Sequence, residues 1–239
     1  MSKYDKALTV FSPNGHLFQV DYAYEAVKRG TCTIGIKGKN NLVLVVEHKA
    51  TPKLQDTRTI HKIYQIDENI TMACSGLTAD ARVLANKARF ECQSYRYNFE
   101  EKPSVTYMAK HLAKIKQSFT QKGGVRPYGI SSLIIGYDQS SEPLLYMTEP
   151  SGSYSMWKAC VIGKNSKTVQ EFLEKNYKDG LGLEECLKMG VNAMMEVIEG
   201  ASRNIEVGYM KPDGKFITLT DEQIVTMITL IEKEKKPAK

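Results

Sequence analysis

Few residues are typed and spaced for chemistry, and most candidates fail on spacing. Gly163-Lys164-Asn165-Ser166 has the outline of a phosphate loop, in which backbone N–H groups and a lysine cradle phosphates. The position five before Gly163 is Lys158, not glycine, and Asn165 stands where serine or threonine should follow the lysine. Gly180-Leu181-Gly182 lacks the third glycine and the preceding strand of a dinucleotide loop. The histidines His16, His48, His61 and His111 show no metal-ligand spacing, so no metal and no cofactor are expected. Cys32, Cys74, Cys92, Cys160 and Cys186 are odd in number and widely spaced, which gives neither a zinc motif nor a disulfide framework. They read as reduced, mostly buried thiols. Asn69-Ile70-Thr71 fits a glycosylation sequon but reads as the start of a strand.

The elements that would position these residues come in blocks. The chain has 239 residues, 42% apolar and 25% charged, enough for one domain with a sizeable core. Phe18–Arg29 has apolar residues three or four apart and predicts an amphipathic helix stopped by Gly30. Before it, Phe11-Ser12-Pro13-Asn14-Gly15 is a turn on its own chemistry. Thr31–Gly38 and Asn41–His48 predict a hairpin, and Ile60–Ile66 with Ile70–Ser75 a second. Helices follow from about Thr78 to Tyr97, and from a first turn at Pro103 with Val105, Met108, Leu112, Ile115 and Phe119 as its apolar stripe. Strands return at Ile130–Tyr137, Pro143–Thr148 and Tyr154–Ile162, then helices near Ser166–Tyr177 and Leu183–Glu199. Strands at Ile205–Met210 and Phe216–Leu219 precede a last helix capped by Thr220 and Gln223. Blocks of this kind argue for an α+β fold, a four-layer αββα sandwich of two antiparallel sheets flanked by helices, with an extra N-terminal helix.

The net charge is +6, part of it in the tail 232–239. No concentrated basic face with interleaved aromatics is visible, so nucleic acid is not an expected partner. No stretch is apolar for long enough to span a membrane, and the N-terminus lacks a signal-peptide core.

The run from Tyr4-Asp5-Lys6-Ala7-Leu8 through Phe11-Ser12-Pro13-Asn14-Gly15 and Asp21-Tyr22-Ala23-Tyr24-Glu25-Ala26 to Gly30 closely resembles the signature of proteasome α-type subunits. The likeness continues in Gly76-Leu77-Thr78-Ala79-Asp80-Ala81-Arg82, in Arg126-Pro127-Tyr128-Gly129, and from Pro150-Ser151-Gly152 to Ile162-Gly163. Glu91–Arg96 and Glu171–Tyr177 look most like the eukaryotic type-7 member, at the fourth α position. The resemblance implies the N-terminal-nucleophile hydrolase fold over 31–231, an N-terminal helix 18–30, a gate tail and turn 1–17, and a charged tail 232–239. It implies a non-catalytic α-ring subunit of the 20S core particle, serving ubiquitin-dependent protein degradation in cytoplasm and nucleus. Implied partners are neighbouring α subunits in a seven-membered ring, β-type subunits below, and a regulatory particle or other activators above.

The same resemblance assigns roles to residues. Tyr4, Asp5, Pro13 and Tyr22 match those that hold the family's gate open. Lys6 replaces the family's usual arginine, which keeps the charge and loses the planar fork. Gly30, Lys62 and Leu77 match a pocket that accepts activator C-termini. Thr31, Glu47 and Lys62 match the nucleophile, aspartate and lysine positions of the catalytic β-type subunits, with Lys62 one residue short in spacing. The alternative reading is an active hydrolase through Thr31 after cleavage at Gly30. That chemistry needs the free α-amine of Thr31 as general base, which an internal amide cannot supply.

Overall fold

The computed structural model describes residues 9–48, 54, 61–138, 141–198 and 205–235. Helix α1 (Phe18–Lys28) leads into β1 (Thr33–Lys37) and β2 (Leu42–Glu47), a hairpin closed by the Gly38 N–H on the Asn41 carbonyl at 2.9 Å. Strands β3 (Ile63–Asp67) and β4 (Ile70–Gly76) form the second hairpin. Helices α2 (Thr78–Phe99) and α3 (Val105–Gln121) follow, then β5 (Ile130–Tyr137), β6 (Pro143–Thr148), β7 (Tyr154–Met156) and β8 (Ala159–Ile162). Helices α4 (Ser166–Asn176) and α5 (Leu183–Met195), strands β9 (Ile205–Met210) and β10 (Phe216–Thr218), and helix α6 (Asp221–Lys235) complete the order.

The strands make two antiparallel five-stranded sheets, ordered β10-β9-β2-β1-β8 and β3-β4-β5-β6-β7. Strand alternation divides the core. In β2, Val43 and Val45 face α4, α5 and α6, while Leu42, Leu44 and Val46 meet Leu133, Ile135 and Leu145 of the other sheet. Helices α2 and α3 cover the outer face of that second sheet with Leu84, Ala88, Met108 and Leu112. The expected αββα sandwich is present, with α1 packed against β4 and β5.

Three expectations are corrected. Tyr154–Ile162 is not one strand, because the chain changes sheets at Trp157-Lys158, giving β7 to one sheet and β8 to the other. Pro103 lies outside α3, and Ser104 caps it by accepting the Tyr107 N–H at 3.0 Å. The buried row of α3 includes Ala109, Ala113 and Lys116 rather than Ile115 and Phe119, which are only partly buried. The Thr220–Gln223 capping box is formed in both directions, at 3.0 and 3.4 Å. All five cysteines are buried and free.

Candidate functional site

Gly30 fixes how α1 meets the sandwich. Its N–H donates to the Val27 carbonyl and its own carbonyl accepts the Lys164 N–H, both at 2.8 Å. A Cβ on Gly30 would sit 2.3 Å from Gly76 N and 2.9 Å from Gly76 Cα, so two backbones touch where no side chain fits. Ser75 Oγ lies at the same junction and donates to the Thr31 carbonyl at 2.8 Å. Val20, Ala23 and Val27 are the buried residues of α1.

Beside this junction Lys62, Tyr64, Cys74, Gly76, Leu77 and Ile130 line a small cleft where β4 hands over to α2. Lys62 is 9% exposed and Leu77 44%. The cleft has room for about 10 Å³ of a water-sized sphere, roughly one water. A bound chain end would therefore need a second wall from another molecule. Of the three expected docking residues, Lys62 and Leu77 share the cleft, and Gly30 backs onto Gly76.

A brace holds the cleft's outer lip. The Leu77 N–H donates to the Gly129 carbonyl at 3.0 Å, and the Gly129 N–H donates to Asp80 Oδ2 at 3.0 Å. Arg126 grips both Asp80 oxygens, at 2.7 and 2.8 Å. Burial pushes the Asp80 carboxyl up, but the Arg126 and Gly129 hydrogen bonds outweigh it and the net direction is down. Sequence reasoning met Asp80 and Arg126 only as parts of resembling segments. A partner across 46 positions leaves no local signal.

The nucleophile-like positions gather around Cys32. Glu47 Oε2 accepts the Cys32 N–H at 2.8 Å, and the Glu47 N–H donates to the Cys32 carbonyl at 2.9 Å. Burial pushes the Cys32 thiol up to about 12; the Glu47 charge adds to the shift and Lys62 opposes it, so both charges lie near this thiol. Thr31 is 7% exposed, and its Oγ1 has no hydrogen-bond partner.

Of the gate candidates, Tyr4 and Asp5 lie outside the described residues, as does Lys6. Pro13 occupies a turn closed by the Gly15 N–H on the Ser12 carbonyl at 2.9 Å, with Gly15 at φ +79°. Tyr22 is half-exposed and its ring stacks on Phe18, centroids 6.5 Å apart. Val10 and Phe11 are exposed as well.

Comparison with known proteins names the family. The family model for proteasome subunits matches residues 27–210, and that for the N-terminal signature of α-type proteasome subunits matches residues 4–26. The chain belongs to the proteasome subunit family, in its α-type branch. It is 52% identical to the α type-7 proteasome subunit of Dictyostelium discoideum, over 98% of this chain and 94% of the relative. It is 50% identical to the α type-7-A proteasome subunit of Arabidopsis thaliana, over 100% and 96%. It is 51% identical to the α type-4 proteasome subunit of Saccharomyces cerevisiae, over 98% and 94%, which is the same subunit under another number. The type-7 likeness of Glu91–Arg96 and Glu171–Tyr177 agrees with these relatives. Proteasome α-type subunits are the non-catalytic ring members of a threonine protease complex. The local chemistry suits that role, because Thr31 follows Gly30 through an amide, and Glu47 is engaged with a backbone N–H.

Proposed function

We propose that this α-type chain works by positioning and access control: it builds the α ring, contributes its N-terminal segment to a gate, and docks the free C-termini of activators. The observation that carries the docking role is Lys62 placed with Leu77 in one cleft, a cation beside an exposed apolar side chain. That pairing suits a chain end with a terminal carboxylate and a nearby apolar residue, seated between this chain and its ring neighbour. Lysine offers a compact point charge for the carboxylate. In the ring, α1 and the Pro13 turn face neighbouring α subunits, β-type subunits lie below and activators above. Tyr4, Asp5, Pro13 and Tyr22 form the gate's open-state cluster. The particle works in cytoplasm and nucleus, without nucleic acid or membrane as partner.

The test is Lys62→Ala in assembled core particles. A charge-assisted hydrogen bond contributes about 1.5–3 kcal/mol, so activator affinity at this pocket falls by about one to two orders of magnitude. Activator-stimulated peptide hydrolysis falls with it. Unchanged activator affinity in correctly assembled particles would sink the docking role.

A further inference from the structure

We propose that Lys116 is a positioning residue for the carboxylate-docking cleft, its ammonium lying beneath the cleft wall and adding to the field that holds the carboxylate. The inference rests on the docking reading above. Lys116 projects from α3 and is 0% exposed, a fully buried cation. Its Nζ donates to Ile130 O at 3.1 Å, Ser132 Oγ at 3.3 Å, Thr148 O at 3.0 Å and Thr148 Oγ1 at 2.9 Å. Two of these contacts reach the cleft. Ile130 lines it directly. Cys74, another lining residue, donates its thiol hydrogen to the same Ser132 Oγ at 3.4 Å. Both Lys62 and Lys116 act on the Cys74 thiol, one from within the cleft and one from below. A carboxylate held at Lys62 therefore senses a second cation through a low-dielectric wall.

The four oxygens accommodate either protonation state. An ammonium shares three protons among them. A neutral amine keeps two donors, and the Ser132 or Thr148 hydroxyl can turn to donate to its lone pair. Burial pushes Lys116 down to about 7, opposed by Cys74 and Glu149. The field in the cleft thus changes with pH while the packing stays. From β4 the facing titratable group is Cys74, and from the β6–β7 turn it is Glu149, which also acts on Tyr24 of α1. From α2, Lys87 pairs with Tyr128, and Glu91 with Tyr107 and His111. His61 is exposed and next to Lys62 in the chain, so His61→Gln serves as the control substitution.

The experiment uses assembled core particles and two N-terminally blocked peptides without histidine, one ending in a carboxylate and one in an amide. Fluorescence anisotropy follows binding from about pH 6 to about pH 9, a window that brackets the lysine's depressed titration. As pH rises through about 7 the cleft loses a positive charge, and affinity for the carboxylate peptide falls about three- to tenfold. The amide peptide shows no such slope. Lys116→Met abolishes the slope, His61→Gln keeps it, and Lys62→Ala removes this chain's share of binding at every pH. Binding left undiminished by Lys62→Ala defeats the docking reading itself. Binding that is lost there, with a slope that persists in Lys116→Met or vanishes in His61→Gln, overturns the Lys116 proposal alone. Ser132→Ala and Thr148→Val retain the lysine and guard against a folding defect. Each removes a hydrogen bond to the ammonium and moves the midpoint to lower pH; a midpoint unmoved in both also overturns the proposal.

Discussion

Thr31 keeps a hydroxyl in nucleophile-like surroundings and lacks a base. Its nitrogen is an amide, and the nearby carboxylate of Glu47 accepts the Cys32 N–H instead of orienting a lysine for proton transfer. Thr31→Val should leave the particle's peptide hydrolysis unchanged. Stability should stay within about 1 kcal/mol, because a buried hydroxyl without a partner is exchanged for a methyl of the same shape. Intact-mass measurement of the chain from assembled particles should find the residues before Thr31 still attached; a mature chain starting at Thr31 would contradict the non-catalytic role. At this scale, resemblance located Thr31, Glu47, Lys62 and Leu77. It missed Lys116, because a lysine at the margin of the apolar stripe of α3 reads as a solvated side chain. A buried lysine is legible only when its oxygen partners, here from β5 and β6, are in view.

Among the elements, α1 is held by shape more than by polar contacts. Its last turn enters a seam where Gly30 meets Gly76, and Gly163 abuts Thr31 O and Ser75 Oγ. Gly30→Ala places a methyl 2.3 Å from a backbone nitrogen that cannot swing aside. The expected cost is about 1–3 kcal/mol, read as a lower unfolding midpoint and faster amide exchange in α1 and the start of β1. Exchange confined to wild-type rates in α1 would show that the seam does not hold it. Most elements were legible from periodicity and turn chemistry, including β5, β6 and β9 to the residue. The β7–β8 break was not. Tyr154–Ile162 reads in sequence as one strand, but a bend at Lys158 and different pairing partners, β6 for Tyr154–Met156 and β1 for Ala159–Ile162, divide it.

At the level of the whole molecule, the sandwich has an interior of Leu42, Leu44, Leu133, Ile135 and Leu145 and no cleavage machinery in use. The proposed docking role belongs to one end, where α1 packs against β4 and β5 and the Lys62 cleft opens between β4 and α2. If the segment before residue 10 closes the pore, deleting residues 2–9 raises basal peptide hydrolysis several-fold while activator-stimulated hydrolysis changes little. Equal basal rates would assign closure to the tails of other subunits. The layered fold could be read from the block order of strands and helices. The place of the Lys62 cleft could not, since it depends on which strand ends and loops the sheet brings together.

The glycine seam has a consequence in genetic terms. Every single-base missense change in a glycine codon creates a residue with a Cβ. At Gly30, Gly76 and Gly163 that atom would lie 2.3, 2.1 and 2.4 Å from backbone atoms already in place. Heritable variation should therefore be scarcest at these positions, in a chain without a catalytic residue. The burden of a new allele there would fall on how many particles a cell can assemble, not on how fast each one cuts.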